Sequence, residues 1–130
     1  MKVLLVQPSR LQPDGTVSVH DNGTFGHKRL PRIVRYRINA RKKTATLIQV
    51  IRDRRARHSY CCGDGQRLAG GRWLVDWGAN SVIEELTGRG RRILTITLPN
   101  KLFSYRAQSV PPGVLTREAL RAGMNAQFPR

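Results

Sequence analysis

At 130 residues the chain has the length of one domain rather than two, and with 39% hydrophobic residues it can build a modest core, which argues against wholesale disorder. Its 24 Lys+Arg against 8 Asp+Glu give a formal charge of +16. That surplus favours polyanions (nucleic acid, anionic lipid, or sulfated and phosphorylated ligands) without choosing among them. The opening MKVLLVQPSR is too short for a secretory apolar region or a membrane span, and no later apolar run comes close. No membrane partner is therefore expected, the sequence shows no signal peptide, and localisation stays open.

Along the chain, period-two alternation dominates over helical spacing. QPDG (12–15) is a turn, and TVSVH (16–20) alternates cleanly after its Asp14-Gly15 pair. RIVRYRI (32–38) alternates again, NARKK turns, and TATLIQVIR (44–52) is rich in β-branched residues. IRDRRARH (51–58) reads as a solvated charge run. Cys61 and Cys62 are adjacent, so they supply neither a stapling disulfide nor a CxxC metal knuckle. They are either small semi-buried residues at a strand start or a vicinal redox pair.

GQRL, the Gly70-Gly71 turn and RWLVDW (72–77) form a second hairpin. SVIEEL (81–86), the turn TGRGR and RILTITL (92–98) follow. Glu84 and Glu85 point to opposite faces of one strand and read as edge polarity. Leu98-Pro99-Asn100 breaks the last strand, and LFSYRA (102–107) is a candidate further strand. Only TREALRAGM (116–124) has helical spacing, with Thr116 suited to the N-cap.

Two units share one plan. Gly15 aligns on Gly71, 56 residues on, and Ile38 on Leu86, 48 residues on. Each unit is strand, glycine turn, strand, loop, strand, charged turn, strand, which matches a β-propeller blade. The expected fold is therefore all-β: about two four-stranded antiparallel blades of an incomplete β-propeller, roughly 1–55 and 56–100. Residues 1–110 form the partial propeller and 111–130 a tail with a short helix. The alternative is a plain sandwich of eight short strands. Two blades cannot close a ring, since at least four are needed. The expectation is a piece of something larger: a truncated gene product, or a subunit completed by other copies.

The stretch DNGTFG…LPRIVRYRINARKKTATLIQVIRD, followed by GDGQRLAGGRWLVDWGANSVIEELTGRGRRILTITLPNKLFSYRA, resembles the C-terminal part of the arylsulfotransferase family of bacterial β-propeller proteins. The resemblance runs from about Leu11 to Ala107. It rests on DNG after an alternating strand, RYRIN…KTATL, QRL before a strand ending in WG, and SYRA. It implies a six-bladed ring around a funnel, commonly exported, that moves a sulfuryl group from an aryl sulfate to a phenol through a nucleophilic histidine. Imidazole attack on sulfur, with cations and amide donors stabilising the transferring oxygens, needs no metal and no organic cofactor.

Carried over residue by residue, the family's His-Asp pair before the LPDG-like turn falls on Gln7-Pro8, so the nucleophile is absent from that position. His20, on the alternating strand, and His58, beside an inner-strand entry, are the remaining catalytic candidates. His27 lies in a basic loop and reads as solvated. Arg67 in QRL and Arg106 in SYRA are candidates for an anionic ligand, because a guanidinium grips sulfate oxygens two at a time; alternatively they tie strands through carbonyls. The implied partner is an aryl sulfate or other anionic small molecule bound by a completed ring.

Two other classes compete. A small nucleic-acid-binding protein fits RRARH, RKK, GRGRR and HKR, although these fall in turns without aromatics interleaved on a strand face; Trp73 and Trp77 share a face that lacks basic partners. The other class is a binding propeller assembled from several copies through exposed blade edges.

Overall fold

Eight strands and one helix follow from this pattern in a computed structural model, which describes residues 6–23, 29–57 and 59–129. Strands β1 (Val6–Leu11), β2 (Thr16–Asp21), β3 (Arg32–Asn39) and β4 (Thr44–Ile51) form one antiparallel sheet in chain order. Strands β5 (Asp64–Arg67), β6 (Trp73–Asp76), β7 (Val82–Leu86) and β8 (Arg92–Thr97) form a second in the same order. These are two up-and-down four-stranded blades, and the described residues form no closed barrel. The helix α1 (Arg117–Gln127) begins at Thr116, whose hydroxyl accepts the Ala119 N–H at 3.1 Å, and none of its residues is buried.

The doubled hairpin is the same structure twice. In blade 1, Gln12 N–H donates to Thr16 O at 2.8 Å and Gly15 N–H to Gln12 O at 2.9 Å. In blade 2, Leu68 N–H donates to Arg72 O at 2.8 Å and Gly71 N–H to Leu68 O at 3.2 Å. Both second strands then end in the same D-x-G device. Asp21 Oδ1 accepts the Gly23 N–H at 3.1 Å, and Asp76 Oδ1 accepts the Gly78 N–H at 2.8 Å. Each glycine sits at positive φ, 68° and 62°, where a side chain would be strained. One difference is local. The β1–β2 register shifts between Gln7 and Ser9, at Pro8, which has no N–H to give the ladder.

The blades pack face to face. His20, Ile33 and Ile51 are cross-strand partners and so share the face of blade 1 that meets blade 2. Opposite them stand Trp73, Val75, Trp77 and Leu86, all fully buried, with Ala56 closing the cluster. The seam closes to contact because β5 carries Gly65 directly beneath the Ile33 side chain.

Two expectations are corrected here. IRDRRARH is not simply a solvated run: Ile51 and Ala56 are core residues, and Asp53 ion-pairs with Arg55 at 3.0 Å and Arg92 at 2.8 Å. The candidate strand LFSYRA does not form. A 3-10 turn (Pro99–Lys101) precedes it, and one backbone bond to blade 2, Gly63 N–H to Tyr105 O at 3.2 Å, is too little for a ladder.

Candidate functional site

Strands β1 and β5 and the segment 104–109 lie side by side, and their polar side chains build the site. Asp64, at the start of β5, is buried. Arg10 from β1 grips it with both prongs, Nε to Oδ1 at 3.2 Å and Nη2 to Oδ2 in close contact. From the other side Arg106 brings Nε to 3.7 Å from Asp64 Oδ2, while its guanidinium lies 5.9 Å from its neighbour Tyr105's ring centroid. At the hairpin end, Asp14 faces Arg67 at 3.4 Å and Arg35 at 3.5 Å. Four guanidiniums thus meet two carboxylates, an excess of positive charge along the row.

Bonds from the Thr16 hydroxyl and N–H hold the Asp14 carboxyl below its ordinary value, and the Asp64 carboxylate in turn raises Arg10. Arg67 and Arg106 therefore face carboxylates rather than the carbonyls expected of a strand tie. Arg106 is 42% exposed at its side chain and remains open to solvent.

His20 has a different setting. It is 1% exposed, both ring nitrogens lack a partner, and its Cε1 sits against Gly63, with the Trp77 ring centroid 6.2 Å away. Burial lowers its pKa to about 4, against the pull of Asp64 and Asp21. The imidazole is neutral, as a nucleophile requires, but it is sealed between the blades. His58 and His27, the other histidines considered, lie outside the described residues. Gln7, where the resemblance would put a histidine, pairs in register with the buried His20.

The glutamates are also corrected. Glu85 is half-buried and pairs with Arg72 at 2.5 Å, as an edge carboxylate would. Glu84 is buried, accepts the Trp77 indole N–H at 2.7 Å and pairs with Arg92 at 2.8 Å; burial raises its pKa. Asp76 is raised by burial too, opposed by the Gly78 N–H on Oδ1, and its Oδ2 has no partner.

A separate cleft of about 430 Å³ at the β7–β8 turn is lined by Thr87, Gly88, Arg89 and Arg91, none of them in the row. Among the described residues no group of three or more His, Cys, Asp or Glu is placed to hold a metal ion, and no helix is long and apolar enough to cross a membrane. The sequence reading missed Arg10 and Asp64, which are 54 residues apart and have no local signal of their pairing. No family model matches the chain, and no curated protein or solved structure does either.

Proposed function

We propose that the chain supplies two blades, and the beginning of a third, to an arylsulfotransferase-like propeller, where they provide the anion-facing edge and not the nucleophile. The observation that carries this reading is the row of four arginines against two aspartates: Arg10 on β1, Arg35 on β3, Arg67 on β5 and Arg106 in 104–109, with Asp14 in the β1–β2 turn and Asp64 on β5. A guanidinium excess along this row suits a sulfate ester, whose oxygens take paired N–H donors. The segment 104–109 sits beside β5 as β5 sits beside β1: Arg106 reaches Asp64, and Ser109 N–H donates to Gln66 Oε1 at 2.9 Å. In the proposed ring this segment leads on toward a next blade. His20, sealed in the seam, cannot meet a substrate without parting the blades.

The test is a pair of measurements with 4-nitrophenyl sulfate. Equilibrium binding should weaken about tenfold in Arg67→Ala with Arg106→Ala, the loss of roughly 1.4 kcal/mol of charge-assisted contact. Nitrophenol release with phenol as acceptor should be absent. Binding indifferent to both replacements, or any nitrophenol release by this chain, overturns the proposal.

A second reading has its own support. Leu74, Ile83, Leu94 and Ile96 share the face of blade 2 turned away from blade 1, and Leu94 and Ile96 are exposed. Val17, Val19, Tyr36, Leu47 and Val50 share the far face of blade 1. These are the two unmatched halves of the interface already made inside the chain, so copies joined head to tail would repeat it and close into a ring. Light scattering giving a discrete trimer supports that reading, and a monomer at high concentration refutes it. Steep salt-dependent binding to DNA would instead favour a nucleic-acid partner.

A further inference from the structure

The turn that enters β5 carries the chain's two cysteines, and it is held from three directions. Asn22 of blade 1 donates its side-chain amide to the Cys62 carbonyl at 3.0 Å. The Ser59 hydroxyl donates to the Cys61 carbonyl at 2.7 Å, and the Gly63 N–H is taken by Tyr105 O. Cys62 has φ of 62°, the left-handed region that a side chain enters only when its surroundings enforce it. The result is a pair of thiols aimed at one another: Cys62 Sγ–H donates to Cys61 Sγ at 2.9 Å. Cys61 is half-buried and reachable, whereas Cys62 is buried.

We propose that Cys61 and Cys62 form a vicinal dithiol that a low-molecular-mass disulfide oxidises to an eight-membered ring at the blade seam. The Cys61 thiolate attacks one sulfur of the oxidant, forming a mixed disulfide and expelling one thiolate. Cys62 then gives up its proton to solvent, and its thiolate attacks Cys61 Sγ. The Cys61–Cys62 bond forms and the second oxidant thiolate leaves. Two protein thiols are oxidised, one disulfide is reduced to two thiols, and the protons released by the cysteines neutralise the departing thiolates. The order follows from access, and the buried Cys62, whose thiol burial pushes up to about 11, keeps its proton until the second step.

The chain has two cysteines, so an intramolecular disulfide has one possible connectivity. Incubating the full chain with oxidised glutathione should give a monomer lighter by two hydrogens, with no glutathione retained. Cys62→Ala should stop at a stable glutathione adduct on Cys61, and Cys61→Ala should react at least tenfold more slowly. A retained glutathione on the unsubstituted chain, or a disulfide-linked dimer, overturns the proposal. The unsubstituted chain offers a second measurement. Phenylarsine oxide, which takes two adjacent thiols, should bind one equivalent, be released by a dithiol and resist an equal amount of monothiol; release by the monothiol overturns the assignment.

Discussion

The two blades share one backbone plan and differ in what covers them. Val17 and Val19 occupy in blade 1 the places of Trp73 and Val75 in blade 2, and Tyr36 that of Leu86, by hairpin and cross-strand register. The blade 2 residues are fully buried against a neighbour, while Val17, Val19 and Tyr36 are half-buried. Blade 2 shows what this face becomes when a partner lies on it: the place of Val17 is taken by the indole of Trp73, and Glu84 enters to satisfy Trp77. Blade 1 shows the same face waiting. The difference teaches that the alternation sets which residues share a face, and the neighbour decides whether that face is core.

The comparison breaks most directly at its matched positions. Trp73→Ala should destabilise the chain by about 3–5 kcal/mol, while Val17→Ala should cost less than about 1 kcal/mol, both read from urea midpoints at constant slope. Equal effects would mean that the far face of blade 1 is covered in solution. Next in size is acid sensitivity. His20 titrates at about 4 in the folded chain against an ordinary 6.5, so the unfolded imidazole takes up a proton that the folded one refuses. The stability tied to its neutral form is complete above pH 6.5 and is lost as the pH falls from there to about 4, on the order of 3 kcal/mol. Asp21, held low by Arg29 and Arg32, adds to the loss at still lower pH, and the raised Asp76 and Glu84 oppose it on protonation. Removing His20 with His20→Gln should flatten that segment of the stability curve; an unchanged slope would place the titration elsewhere.

A smaller effect tests the seam from its other side. Gly65→Val would push methyl groups into Ile33 and cost about 1–3 kcal/mol by overpacking, and the same change at Ser9, its counterpart on β1, should be nearly neutral. Smallest of all, Thr116→Ala should lower helicity at α1 by a cap worth about 1 kcal/mol and leave the unfolding midpoint of the blades where it was, because no residue of that helix is buried.

Much of the architecture is legible because it is written locally. Asp14-Gly15 and Gly70-Gly71 announce the hairpins, β-branched alternation gives the strands between them, and Thr116 opens the helix. What escaped depends on residues far apart. Nothing near Arg10 says that Asp64 will meet it, and nothing in IRDRRARH distinguishes Ala56, which is swallowed by the seam, from the arginines around it, which are not. LFSYRA alternates well enough to be a strand, but a strand needs an adjacent ladder, and this segment gets one backbone bond, from Gly63 just before β5. The arginine row was half visible. Arg67 and Arg106 stood out by their sequence context, and their carboxylate partners could be assigned only once the inner strands lay together.

Both tryptophans of the chain lie fully inside the seam. Intrinsic emission from this protein is therefore a report on a single junction: blue-shifted while the sheets stay in register, red-shifted when water enters between them, and silent about events at the outer rims or along the C-terminal helix.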